Sequence, residues 1–135
     1  MHSFFHFSEA ASLGLHGMAL LACREERVSI KEMAEILEVS EAHLAKVFQR
    51  LVKSGLVISH RGPGGGFDLA FSPEEISLMD IYEALEGPLE METCLLHRSE
   101  CPFGKCFLGK PLREIEALLI SFFRETKLDT LRKKE

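Results

Sequence analysis

The stretch that most restricts the fold is VSIKEMAEILEVSEAHLAKVFQRLVKSGLVISHRGPGGGF, from Val28 to Phe67. Ser29 is a good helix N-cap, and Glu32 three residues later completes a capping box. Ile30, Met33, Ala34 and Leu37 then recur at helical spacing. A break at Glu38-Val39 leads to Ser40, a second N-cap with His43 at its N3 position. Leu44, Val47, Phe48 and Leu51 form the stripe of that second helix, which Gly55 stops. Two short helices joined by a tight turn make a helix-turn-helix. Leu56 to His60 and Phe67 to Phe71 read as paired strands, and the glycines of RGPGGGF between them fit a flexible hairpin tip. The order helix, turn, helix, hairpin is that of a winged helix, so the chain is expected to be mainly α with a small β-hairpin.

The flanks add helices. Ser8 to Ala22 carries Ala11, Leu15, Met18 and Ala22 on one face, widened by Leu13, Leu20 and Leu21, which predicts a largely buried helix. SPEEIS, Ser72 to Ser77, starts another with Leu78, Ile81, Tyr82 and Leu85 inward, ending at Gly87-Pro88. Beyond a cysteine loop, Leu112, Ile115, Leu118, Leu119, Phe122 and Phe123 outline a long amphipathic helix with more apolar surface than a terminal helix needs. The tail LDTLRKKE is expected to fray, and Cys23 to pack in the core.

With 135 residues and 46% apolar content, the chain suits one soluble folded domain. No apolar run nears the roughly 20 residues of a membrane span, and MHSFFHFSEA lacks the pattern of a secretory signal. A cytoplasmic protein without a membrane partner is expected, where thiols stay reduced. The net charge of −5 argues mildly against nucleic acid, but the charge is segregated. Between Ser40 and Arg61 the bases Lys46, Arg50, Lys53 and Arg61 face only Glu41, whereas Gly62 to Glu100 holds nine acids against Arg98. Phosphates feel the local field within a Debye length of about 10 Å, so a basic patch on an acidic body can still bind double-stranded DNA.

On the second helix the polar side carries Glu41, His43, Lys46, Gln49, Arg50 and Lys53, and these bar Glu41, with the N-cap Ser40, are its DNA-binding candidates. Gln and Arg can read base edges and Lys can meet phosphates, although a solvated polar face has the same composition. On the hairpin, His60, Arg61, Gly64 and Gly65 allow close backbone approach to phosphate and an arginine in a narrow minor groove. A tight surface turn needs fewer glycines than this one has. The glycines are not a phosphate-binding P-loop, because no Lys-Ser/Thr and no helix follow them.

Cys94, Cys101 and Cys106 form a C-x6-C-x4-C pattern in CLLHRSECPFGKC. Three thiolates suit an iron–sulfur cluster or zinc, with Pro102 and Gly104 letting the chain wrap and His97 available as a fourth zinc ligand. A metal-free thiol switch and inert thiols remain open. No nucleophile is paired with an oriented base, so an enzyme is not expected.

The run AHLAKVFQRLVKSGLVISHRGPGGGFDLA (Ala42 to Ala70), the following SLMDIYEALEG and the three-cysteine loop together closely resemble the Rrf2 family of bacterial winged-helix transcriptional regulators. The resemblance spans roughly Ser8 to Lys127 and points to the cysteine-bearing subclass with IscR-, NsrR- and RirA-like members. It implies a winged helix-turn-helix DNA-binding domain over residues 1–88, a cysteine cluster loop over 89–108, and a C-terminal dimerisation helix and tail over 109–135, in one compact unit. It implies a homodimer in which the helix from Ser40 to Ser54 enters the major groove and the hairpin with Arg61 follows the minor groove. It also implies that Cys94, Cys101 and Cys106 ligate a 2Fe–2S or 4Fe–4S cluster that senses redox, nitric oxide or iron status. IscR-like members use a histidine three residues past the last cysteine, where this chain has Gly109. NsrR-like members borrow a carboxylate from the partner's first helix, at a position matched here by Ser12. Glu9 one turn earlier, His16 one turn later and His97 in the loop are the candidates for the fourth ligand, with an exogenous thiol or water as alternatives.

Overall fold

Each helix of the N-terminal half begins where a serine hydroxyl can replace a missing helical carbonyl. In the computed structural model, which describes residues 6–90 and 94–132, Ser8 accepts from the Ala11 N–H at 3.0 Å and opens α1 (Glu9–Ala22). Ser29 accepts from the Glu32 N–H at 3.1 Å and opens α2 (Ile30–Leu37). Glu38 turns the chain in a left-handed conformation, φ 55°. Ser40 then accepts from the His43 N–H at 3.3 Å and opens α3 (Glu41–Lys53). At Ser29 that single arm is made among the described residues. The reciprocal capping box closes instead at Ser77, where Ser77 N–H donates to Asp80 at 2.9 Å and Asp80 N–H to Ser77 Oγ at 3.0 Å.

The hairpin pairs β1 (Val57–His60) antiparallel to β2 (Gly66–Leu69), with Val57 opposite Leu69 and His60 opposite Gly66. A bridge between Val28 and Phe67 ties it to the α1–α2 linker, through Phe67 N–H to Val28 O at 2.9 Å and Val28 N–H to Phe67 O at 3.3 Å. The architecture is a winged helix.

Two expectations change beyond the hairpin. The segment from Ser72 makes only a 3-10 turn, Pro73–Glu75, before Ile76 extends, and α4 (Leu78–Glu86) begins after Ser77. The cause is the C-terminal chain. Leu128 N–H donates to Ile76 O and Leu78 N–H to Thr126 O, both at 3.0 Å, so the backbone there is bridged as a strand and cannot coil. For the same reason the tail is not frayed through Arg132. Leu128 is fully buried in the core, Leu128–Leu131 forms a second 3-10 turn, and Arg132 Nε donates to Ala22 O at 2.8 Å. Lys133 to Glu135 lie outside the described residues.

One core, with Met18, Met33, Leu44, Phe48, Leu51, Ile76, Ile81 and Leu128 fully buried, joins α1 to α4. Helix α1 sits centrally because it approaches its neighbours through glycine. A Cβ on Gly17 would lie 2.5 Å from the Phe48 ring, and one on Gly14 2.2 Å from Leu85. Helix α5 (Gly109–Glu125) contrasts with this, spanning about 25 Å at 1.5 Å per residue. Of its residues Gly109 and Phe123 are buried, while Leu118 is 71% and Phe122 54% exposed. Phe123 is stacked on Phe7 and edge-on to Tyr82. Burial, and then the nearby Glu86 carboxylate, raise the Tyr82 hydroxyl above its ordinary pKa.

Candidate functional site

Helix α3 buries Leu44, Val47, Phe48 and Leu51, and this turns Glu41, His43, Lys46, Gln49, Arg50 and Lys53 outward. These side chains are not equivalent. Arg50 donates from its guanidinium to the Leu85 carbonyl near the C-terminus of α4. It thereby anchors one helix to another, at the end where the helix dipole favours a cation. His43 donates from Nδ1 to the Glu9 carboxylate of α1 at 2.9 Å. Lys46, Gln49 and Lys53 stay exposed, and no ion pair holds either lysine among the described residues.

The hairpin presents Arg61 at an exposed tip next to Ser40-to-Lys53 in sequence. His60 is held differently, with Nε2 3.0 Å from Asp68 Oδ2, the oxygen that also receives Arg27 Nε at 3.1 Å. The Arg27–Asp68–His60 chain fastens the wing to the α1–α2 linker. The glycines have a local cause, contrary to the expectation that a turn needs fewer. Gly62, Gly64 and Gly66 have positive φ, and a Cβ on Gly65 would lie 2.5 Å from the His60 carbonyl. Gly65 N–H is bonded to Gly62 O at 2.9 Å, which closes the tip as a turn.

No disulfide joins any two of Cys23, Cys94, Cys101 and Cys106 among the described residues. Cys23 is exposed at the C-cap of α1, with Sγ 3.5 Å from Leu131 O, which corrects the expectation of core packing. The helix ends at Ala22, so the next side chain leaves the apolar face. In the loop each cysteine heads a turn. His97 N–H donates to Cys94 O at 3.0 Å, Gly104 N–H to Cys101 O at 3.0 Å, and Gly109 N–H to Cys106 O at 3.3 Å. His97 and Gly104 end two of these turns at φ 57° and 73°. At the first of them Arg98 N–H reaches Cys94 Sγ at 3.5 Å. The three cysteines line one cavity of about 300 Å³ walled by Leu95, Leu96, Phe103, Phe107 and Leu112.

None of the three fourth-ligand candidates lines that cavity. Glu9 is engaged by His43, the exposed His16 places Nδ1 2.7 Å from Ser12 O, and His97 is exposed in the loop. Among the described residues no three His, Cys, Asp or Glu side chains are gathered to hold a metal ion. The residues that went unread in the sequence are Asp68 and Arg27, which tether the wing, and Gly14 and Gly17, which seat α1 on α3 and α4. The glycines carried a signal, a Gly-x-x-Gly spacing inside an apolar helix. Asp68 carried none, because a lone acid in a short strand reads as solvent-facing.

The family model for Rrf2, described as an iron-dependent transcriptional regulator, matches residues 7–134. A putative HTH-type transcriptional regulator of Aquifex aeolicus is 34% identical over 129 residues, covering 93% of this chain and 90% of its own. The HTH-type transcriptional repressor NsrR of Streptomyces coelicolor is 32% identical over 82% of this chain and 74% of its own. Among solved structures, CymR, the global cysteine regulator of B. subtilis, superposes with a TM-score of 0.78 at 29% identity, covering 95% of this chain and 97% of that one. The winged helix with its tethered hairpin is thus accompanied by matches along nearly the whole chain, and the protein belongs to the Rrf2 family of DNA-binding transcriptional regulators.

Proposed function

We propose that this regulator works as a homodimer whose affinity for operator DNA follows redox, nitric oxide or iron status through a labile iron–sulfur cluster. The observation that carries the reading is the loop itself: Cys94, Cys101 and Cys106 each head a turn, and all three line one apolar cavity. The donor set fits the group, because soft thiolates, backbone N–H groups near sulfur and a water-poor wall are what iron–sulfur ligation draws on. Glu9, His16, His97 or a small exogenous ligand would complete the set, and the first two would come from the partner subunit. A cluster held there would supply chemistry that oxidation, nitrosylation or loss can reverse.

The chain's own residues do the rest. Lys46 and Lys53 meet phosphates, His43 from the first turn of α3 and Gln49 from the third face base edges, and Ser40 caps the helix start. Arg50 seats α3 against α4. Arg61 follows the minor groove, His60 keeps the wing in place, and the Gly64-Gly65 backbone approaches phosphate. Helix α5, with Leu118 and Phe122 exposed, supplies the dimer surface. Any state change in the loop alters DNA affinity only by its differential stabilisation of two arrangements of α1 and α3.

A second reading, a metal-free thiol switch, is favoured by the likeness to a cysteine regulator and by cysteines not gathered around a point. A structural zinc is the third. Anaerobic purification with iron, sulfide and zinc assay and a visible spectrum separates them. Stoichiometric iron and acid-labile sulfide with a coloured protein is expected. Colourless protein with one zinc per chain would sink the cluster reading. Colourless, metal-free protein whose DNA affinity responds to thiol oxidants would establish the switch.

A further inference from the structure

We infer that His43 reads a hydrogen-bond donor on a base edge in the major groove, and that Glu9 of α1 is the positioning residue that makes it do so. The inference rests on the reading of α3 as the groove-entering helix. It deepens that reading by giving one side chain a base preference and a cause for it.

His43 lies in the first turn of α3, and the N-terminal residues of a recognition helix are those that reach base edges. Its backbone is fixed by the bond from its N–H to Ser40 Oγ. Its ring is exposed, and Nδ1 lies 2.9 Å from Glu9 Oε1. A carboxylate only accepts hydrogen bonds, so the imidazole nitrogen is the donor in this contact. In a neutral ring one nitrogen donates and the other accepts, and the bond made by one decides the role of the other. In the neutral ring, with Nδ1–H committed to Glu9, the lone pair sits on Nε2. An outward acceptor pairs with the N4 amino group of cytosine or the N6 amino group of adenine, and finds no partner at the N7 and O6 acceptors of guanine. Carboxylates orient metal-bound imidazoles in the same way.

Glu9 can perform this role where His16, His97 or an exogenous ligand, and not Glu9, completes the cluster's set, and because α1 is seated on the core. Gly14 and Gly17 let α1 pack closely over Leu85, Val47 and Phe48. In this arrangement the carboxylate meets α3 beside its first turn. The contact is half exposed and adds little to stability, so its effect lies in selectivity.

The test selects bound sequences from a pool of randomised DNA duplexes with the full-length protein, its Glu9→Ala, Glu9→Gln and His43→Ala variants. Wild type is expected to favour cytosine or adenine at one half-site position by about fivefold to tenfold. His43→Ala and Glu9→Ala lose that preference and keep the others, while Glu9→Gln, whose amide oxygen still accepts, retains it. Nitrogen-15 spectra of the DNA-free protein at pH 8 give an independent reading of the ring. Wild type shows a protonated Nδ1 and an unprotonated Nε2 at His43, and Glu9→Ala loses that bias. Replacing the preferred cytosine or adenine by an analogue that lacks the exocyclic amino group should abolish the wild-type preference, and indifference to that replacement would overturn the inference, as would a wild-type ring protonated at Nε2. An enriched sequence indifferent to Glu9→Ala would remove Glu9's role and leave α3 as the reading helix. A pool with no enriched sequence would instead sink the groove reading on which the inference stands.

Discussion

The reading head and the cysteine loop are built on opposite principles. From α1 to α4 most large apolar residues are interior, with Ile36, Ile58 and Phe71 as exposed exceptions, the helix starts are capped by Ser8, Ser29, Ser40 and Ser77, and close glycine contacts replace side chains between helices. The loop from Cys94 to Leu108 has local turns and a cavity, but its large side chains face out, with Phe103 76% and Phe107 78% exposed. Helix α5 continues that outward apolar surface through Leu118 and Phe122. The first region is self-sufficient, since its interactions close within the chain. The second has the chemistry of a surface awaiting something else, in line with the proposed cluster and partner subunit. The proposed sensing would benefit from the division, because a self-contained reader can be biased by a loop that is less tied to its core.

The largest expected contrast is in thermal and urea unfolding. Phe48 is fully buried against Phe67 and beneath Gly17. Phe48→Ala should cost about 3–5 kcal/mol, the range for emptying a core aromatic site. Phe103→Ala in the loop should leave the unfolding midpoint of the monomer within roughly 0.5 kcal/mol. Equal losses would show that the loop belongs to the same cooperative core, and the comparison would break. Leu128→Ala comes next, with an expected loss of about 2–4 kcal/mol, because its fully buried side chain lies in the core built by α1, α3 and α4. A loss below about 0.5 kcal/mol would place the C-terminal turn outside the folded unit.

Leu128 also marks where sequence reading stopped. The two helices after Ser29 and Ser40, the stop at Gly55 and the hairpin were legible because caps, periodicity and glycines are local signals that act within a few residues. The return of Leu128 to Ile76 was not, since a strand bridge across some fifty residues leaves no mark in a window of one helical turn. It shortened the helix expected from Ser72 and buried a tail that looked polar. The site divides the same way. Residue types named the cysteines and the exposed face of α3, but Glu9 on His43, Asp68 on His60 and Arg50 on Leu85 are partnerships made by the fold.

Gly17 sharpens the question of how rigid the reader is. Alanine favours helix over glycine by about 1 kcal/mol, which alone would stabilise α1. Its Cβ would however sit 2.5 Å from Cε2 of the fully buried Phe48, and overpacking of that kind costs about 1–3 kcal/mol. Gly17→Ala should therefore destabilise by roughly 1 kcal/mol and weaken DNA binding through displacement of α3. A stabilised variant with unchanged operator affinity would show that α1 and α3 are not tightly coupled.

The smallest effects separate two cations on the same helix. Lys46 is exposed without an ion pair among the described residues, whereas Arg50 is held by the Leu85 carbonyl. Removing a phosphate contact makes the slope of log affinity against log salt less steep by about 0.9 per contact. Lys46→Ala should show that change for every Lys46 that meets a phosphate, uniformly across DNA sequences, with no loss of stability. Arg50→Ala should do the reverse, lowering unfolding stability by about 1 kcal/mol through the lost carbonyl bond while leaving the salt slope nearly unchanged. If Arg50→Ala instead flattened the slope as much as Lys46→Ala, Arg50 would leave Leu85 when DNA arrives. The reading head would then share some of the adaptability assigned here to the loop.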